Sequence, residues 1–304
     1  MSIQLYAVDA LLRLTVKRRF KKRPSVMELR PIMAEMAERP ARVPTGVTVN
    51  RSELGGIRTE ILHAEGAPEG RAILYIHGGG WVAGAPVNHR AITGRLAKLV
   101  GATVYAPDYR LAPEHRFPEG LDDCVAVYRA LLDKGFAPRS IAIGGDSAGG
   151  NLTLATALKL KMLGLPQPAA LVCLSPATAL DAELPSHRGN IASDAMFAEG
   201  MHDTVRAAYL GGHDASDPLV SPLRGDVSGL PPTLIQCSGA EMLRDDGVEM
   251  AAKMKAAGVE ATLEVWPRLP HVWQAMADLL PEGRKAIAGI AAFLNARLAS
   301  TPQA

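Results

Sequence analysis

Cysteine is scarce in this chain. Cys124, Cys173 and Cys237 each lie in an apolar stretch, and an odd number without paired spacing argues against a disulfide framework or a zinc site. Buried thiols in a reducing compartment are the simpler reading. Net charge is almost absent too. The formal balance of +2 gives no electrostatic ground for a nucleic-acid partner. Long apolar runs are missing: none approaches the roughly 18 residues of a membrane span, so no stable membrane insertion is expected. The first apolar residues are interrupted by Asp9 and Arg13, and the basic run Lys17-Arg18-Arg19-Phe20-Lys21-Lys22-Arg23 follows them. A secretory signal has the reverse order, so a cytoplasmic location is expected. Internal repeats, low-complexity tracts and a linker that would split the core are also lacking. What is present is ample apolar material. A chain of 304 residues that is 48% hydrophobic and 21% charged can bury a core as one large α/β unit or two small ones.

Periodicity orders the chain. Leu5, Val8, Leu11, Leu12 and Val16 recur at helical spacing. A second helix is expected after Pro24, capped by Ser25 and ending near Pro40. The basic run between them reads as the solvated end of an amphipathic helix. From Gly46 the pattern changes to strands at 47–49, 57–62, 72–76, 103–105, 141–143, 170–174, 233–237 and 261–265. Helical stretches at about 88–99, 119–133, 148–163, 245–257 and 282–298 fall between or after them. Such alternation predicts a mostly parallel sheet with helices on both faces. Residues 176–231 break it. They separate two strands by far more than a crossover needs and read as an insertion over the carboxyl edge of the sheet.

Three features carry chemistry. The first is Gly145-Asp146-Ser147-Ala148-Gly149, between the apolar run Ile141–Ile143 and a helical stretch. Strand, glycine-flanked serine, helix is the layout of a nucleophile elbow. The small flanking residues let strand and helix approach, and the strained turn holds the hydroxyl clear of both. The second is His77-Gly78-Gly79-Gly80-Trp81, directly after the strand ending at Ile76. Successive glycines leave N–H groups uncovered. Two of Gly78, Gly79 and Gly80, with the amide of Ala148, can then hold an oxyanion. His77 is expected to order this loop rather than act as a base.

The third feature is a base and its acid. In an α/β-hydrolase the order is serine, acid, histidine, so a candidate base follows Ser147. His187, His202 and His213 lie in the insertion with no strand to place them. His271 follows the last strand and precedes the last helix, in a loop that returns to the edge where the elbow emerges. The acid has three candidates, Glu241, Asp245 and Asp246, just beyond the strand at 233–237. One of them should accept the Nδ1–H of His271 and stabilise the imidazolium.

Taken together, His77–Trp81, the stretch Asp108–Pro118, Gly145–Gly150, and Glu241–Asp245 with His271 resemble the hormone-sensitive lipase-like family of α/β-hydrolases, the bacterial family IV carboxylesterases. The resemblance implies an α/β-hydrolase fold with a mostly parallel eight-stranded sheet and a helical cap. Residues 1–45 correspond to an N-terminal cap segment. Residues 46–304 correspond to the catalytic domain, with 176–231 including a second cap insertion. It implies a serine carboxylesterase for short- to medium-chain acyl esters, with lactones as an alternative substrate, and no cofactor or metal. A homodimer through the last strand is compatible with it. The family's acid pattern is Asp-x-Leu-x-Asp with the first Asp catalytic. Here Glu241 stands at that position, in Glu241-Met242-Leu243-Arg244-Asp245. Asp108–Pro118 is read as structural, with Arg110 and Glu114 as a pair. A non-catalytic ligand receptor on the same fold is the rival reading, and the presence of His271 argues against it.

Overall fold

The computed structural model describes residues 2–37 and 42–299. Eight strands form one sheet in the order β1-β2-β4-β3-β5-β6-β7-β8. They are β1 (Val47–Leu54), β2 (Ile57–Ala64), β3 (Ala72–Ile76), β4 (Thr103–Pro107), β5 (Ile141–Asp146), β6 (Ala170–Leu174), β7 (Thr233–Ser238) and β8 (Ala261–Trp266). β1 and β2 pair antiparallel with each other, and β2 pairs antiparallel with β4. Every pairing from β4 to β8 is parallel.

The parallel strands are continuous apolar runs because both of their faces are covered. Period two divides each between two cores. On one face Leu74, Ile76, Ile141, Ile143, Leu171 and Cys173 join one cluster. On the other, Ile73, Tyr75, Ala142, Ala170, Val172 and Leu174 join a second. The first is closed by α4 (Glu119–Asp133), α5 (Ala148–Met162) and α8 (Arg244–Ala256) through Leu121, Leu131, Leu152, Met250 and Met254. The second is closed by α3 (Arg90–Val100) and α9 (Pro281–Asn295) through Ile92, Leu96, Ile287, Ile290 and Leu294. Each large apolar side chain buried this way stabilises the fold by about 1.5–3 kcal/mol. All three cysteines are buried and free.

The N-terminal residues form α1 (Ile3–Leu12), a π-helical turn at Arg13–Lys17 and a last turn at Arg18–Phe20, followed by α2 (Val26–Ala37). Glu28 accepts the N–H of Ser25 at 2.8 Å, which closes the start of α2. The end expected near Pro40 lies outside the described residues. Leu12, Val16, Phe20 and Leu29 pack into the same cluster as Trp81 and Tyr209. Residues 176–231 contain α6 (Pro185–Gly189), α7 (Met201–Leu210) and a short 3-10 turn at Pro222–Arg224.

Two expectations are corrected here. The basic run is not wholly a solvated helix end. Lys17 is buried, and its ammonium donates to the carbonyls of Asp194, at 2.6 Å, and Ile191. Arg13 donates to the neighbouring carbonyls of Ala192 and Ser193. The irregular backbone of the insertion offers carbonyls with no strand or helix partner, of which that of Asp194 is buried, and these long side chains reach them. Nor do Arg110 and Glu114 pair. Arg110 binds Asp123 and Glu119, each at 2.6 Å, at the start of α4. Glu114 is instead held by Arg30 of α2, at 2.7 Å through one oxygen. Arg110 turns toward a helix N-terminus rich in carboxylates, while Glu114 faces the N-terminal helices.

Candidate active site

Ser147 sits where β5 turns into α5. Its backbone is strained, at φ 55° and ψ −118°. The turn is tight enough to dictate its neighbours. A Cβ at Gly149 would lie 2.0 Å from the carbonyl oxygen of Ile76, and one at Gly145 would lie 2.4 Å from that of Gly149. Only glycine fits at either place. The Ser147 N–H donates to the Leu174 carbonyl at 2.8 Å, which ties the elbow to β6. Asn151, one turn into α5, donates to the carbonyls of Ala177 and Val220 and so braces the helix against the insertion. The serine itself stays partly exposed while its neighbours in β5 and α5 are buried.

The loop after β3 runs beside it. Gly79 and Gly80 have φ of 132° and 63°, which glycine adopts without strain. Among the described residues their N–H groups meet no acceptor. Ala148 is the first residue of α5, so its N–H has no acceptor within the helix. His77 holds the loop from below. Its Nδ1 lies 2.8 Å from the Gly78 carbonyl oxygen, and its ring stacks on Tyr109 at 4.3 Å. Burial, with the nearby His89, pushes the His77 pKa down to about 4, so the ring is neutral near pH 7. Deeper still, the Asp146 carboxylate accepts from Tyr75 Oη at 2.8 Å and His89 Nε2 at 3.2 Å. Burial opposes its charge, but His89 and Tyr75 outweigh burial and lower its pKa.

His271 lies in the loop beyond β8 and is buried. Its Nδ1 donates to Glu241 Oε2 at 2.6 Å, and its Nε2 is buried without a hydrogen-bond partner among the described residues. Burial disfavours the imidazolium, but the hydrogen bond and charge of Glu241 prevail and raise the His271 pKa above 6.5. The other oxygen of Glu241 accepts from the Ser238 N–H at 2.6 Å and from Ser175 Oγ at 2.9 Å. The two rival carboxylates are occupied elsewhere. Asp245 accepts from the Ser186 N–H and from Arg244. Asp246 accepts from the Thr178 N–H and from His187 Nε2, each at 2.6 Å. His187 is thereby held on Asp246. His213 is held on Asp217 at 2.8 Å.

The reading of the sequence missed Ser175 and Val205, and it named Asp194 and Phe197 only as members of the insertion over the sheet edge, whose apolar residues could line a pocket. Ser175, just past β6, braces Glu241. Asp194 of the insertion accepts the N–H of Met242, next to that carboxylate, at 2.9 Å. Phe197 places its ring 4.6 Å from that of His271. A Cβ on Gly80 would lie 3.1 Å from Val205 of α7, and Trp81 stacks on Tyr209 at 4.6 Å. The insertion therefore closes over the glycine loop. Ser175 follows a strand end, and Asp194 and Phe197 stand in the long insertion, but which groups they meet carries no local signal. The contacts of the insertion depend on how a long irregular segment folds back.

Residues 73–275 match a family model described as the alpha/beta hydrolase fold. A solved esterase of the bacterial hormone-sensitive lipase family superposes with a TM-score of 0.92 at 40% identity, covering 98% of this chain and 99% of that one. The chain belongs to this family. Among relatives of this hormone-sensitive lipase-like hydrolase is an acetyl-hydrolase of Streptomyces hygroscopicus, 41% identical over 75% of this chain and 76% of the relative. An esterase of Acinetobacter venetianus is 34% identical over 95% of both. The solved esterase EstE5, in crystals soaked with p-nitrophenyl butyrate, shares 35% identity over 98% of this chain and 99% of its own, with a TM-score of 0.91. The family member described here is a carboxylic ester hydrolase.

Proposed function

We propose that this hormone-sensitive lipase-like esterase is a serine carboxylesterase for short- to medium-chain acyl esters, with Ser147, His271 and Glu241 as its triad. The observation that carries the reading is the state of His271. Its Nδ1 is committed to Glu241 at 2.6 Å, while its Nε2 has no partner among the described residues. That is the tautomer a general base needs. In the proposed course, Nε2 takes the proton of Ser147 as Oγ attacks the ester carbonyl. The oxyanion rests on the amides of two of Gly78, Gly79 and Gly80, and of Ala148. Each such donor can contribute roughly 3–4 kcal/mol in the transition state. The intermediate collapses, the ester C–O bond breaks, and His271 returns the proton to the leaving alcohol. Water, deprotonated by the same Nε2, then attacks the acyl-enzyme; the bond from Oγ to the acyl carbon breaks, the imidazolium returns its proton to Ser147, and the acid leaves.

An acetyl-hydrolase among the relatives and a neighbour soaked with a butyrate ester support the short-chain preference. Residues 1–45 and the insertion within 176–231 serve as a two-part cap, with Phe197 and Val205 bounding the acyl or alcohol side. Hydrolysis of p-nitrophenyl butyrate tests the assignment. Ser147→Ala should abolish turnover, and a fluorophosphonate probe should label the native protein at Ser147 alone. Retained turnover, or labelling elsewhere, would refute it.

A further inference from the structure

The helical stretch from Ile3 to Phe20 has a buried side and an exposed side that is unusual for a soluble surface. Leu5, Leu12, Val16 and Phe20 face the protein. Ile3, Tyr6, Leu11 and Leu14 face solvent, with 85%, 62%, 57% and 69% of their surface exposed. With Ala7 and Ala10, also exposed, they form one apolar ridge along the helix. Cations follow directly. Arg18, Lys21 and Lys22 are exposed at the carboxyl end of that ridge. A depression of about 310 Å³ lies between the two, lined by Leu14, Thr15, Arg18, Arg19 and Lys22.

The charges of this helix are sorted by direction. Asp9, its one acid, is half-buried and bound to Arg13 at 2.7 Å. Arg13 and Lys17 point inward and hold residues 191–194. Among the described residues of this helix, the outward face keeps cations and no carboxylate; Glu199 of the insertion lies 3.9 Å from Arg23, beyond the helix end. We infer that this face is an interfacial anchor that lays the helix on an anionic phospholipid surface. The apolar ridge enters the acyl boundary and Arg18, Lys21 and Lys22 meet the headgroup phosphates. Charge complementarity selects this occupant. A second copy of the chain would bring the same cations to the contact. The esterase remains peripheral, since no described helix is long and apolar enough to cross a membrane.

Vesicle co-sedimentation of the full chain tests the inference. Vesicles of phosphatidylcholine mixed with phosphatidylglycerol should bind the protein at least ~10-fold more strongly than phosphatidylcholine alone, and added salt should release it. Leu11→Ser with Leu14→Ser, and separately Arg18→Ala with Lys21→Ala and Lys22→Ala, should each abolish that gain. Both variants should keep the native circular-dichroism spectrum and thermal midpoint, which reports an intact fold. Failure of the native protein to bind anionic vesicles would overturn the inference. So would native-like binding by either variant. If the leucine variant instead converts a dimer to a monomer and leaves vesicle binding unchanged, the ridge is a contact between copies and the inference fails.

Discussion

Glu241→Gln is the most informative single change at the site. Oε1 of Glu241 accepts from the Ser238 N–H and Ser175 Oγ, while Oε2 accepts from His271. An amide of the same shape has one oxygen. That oxygen is claimed by the Ser238 N–H, because the alternative sets two donors against each other in a buried place. The NH2 group then faces His271 Nδ1 and can only donate. Nδ1 must become the acceptor, the proton moves to Nε2, and the ring can no longer take the proton of Ser147. The lost charge adds to this. An imidazolium and a carboxylate centred ~4 Å apart attract by about 4 kcal/mol at an effective dielectric of ~20. Turnover should therefore fall about 10³-fold, within the range of about 10²–10⁴ that such a swap produces. Thermal unfolding should change little, since shape and packing are kept. The assay is kcat for p-nitrophenyl butyrate, with Asp245→Asn as the control. Asp245 contacts Ser186 and Arg244 rather than His271, so its variant should stay within about tenfold of native. A tenfold loss or less in Glu241→Gln, or a larger loss in Asp245→Asn than in Glu241→Gln, would refute the reasoning.

Three further outcomes follow from the geometry of the site. The acid limb of kcat/KM should have its midpoint above pH 6.5, because the His271 pKa is raised in the folded protein and activity requires the neutral ring. In Glu241→Gln the limb should move to lower pH, since burial then acts without the opposing carboxylate; a limb that does not move would assign it to another group. Gly149→Ala should destabilise the protein by about 3 kcal/mol or more. Its methyl would lie 2.0 Å from the Ile76 oxygen, and urea unfolding close to native would show that β3 and α5 can part more easily than their contacts indicate.

Much of this was legible in the sequence, for identifiable reasons. Ala72–Ile76 and Ala170–Leu174 were readable to the residue because a strand covered on both faces is an uninterrupted apolar run, bounded here by Arg71 and His77 in the first case and by Pro168-Ala169 and Ser175 in the second. Glu119–Asp133 was readable because its acidic first turn and apolar stripe agree. β1 ran further than expected, to Leu54, because Arg51, Ser52 and Glu53 are exposed on an edge strand and carry no hydrophobic period. In the proposed site, Ser147, the glycine loop and His271 are marked by local chain geometry: a turn, three glycines, a strand end. The partners of Arg110, Lys17 and Glu114 are not. An ion pair is chosen by which elements come together, and sequence proximity favoured the wrong partner for Arg110. Ser175 and Asp194 support Glu241 from residues 66 and 47 positions away in the chain, a distance over which no periodicity carries information.

In the proposed triad, the hub at Glu241 has a consequence for how activity is lost. Its carboxylate gathers the ends of three neighbouring strands: Ser175 after β6, Ser238 closing β7 and His271 beyond β8. None of these contacts exists until the parallel strands have docked side by side, which is the part of folding that depends most on contacts distant in sequence. A half-ordered chain therefore holds no fraction of the site. On heating, turnover and the circular-dichroism signal of the sheet should disappear together, and catalysis becomes a direct report on the cooperative unit rather than on its loops.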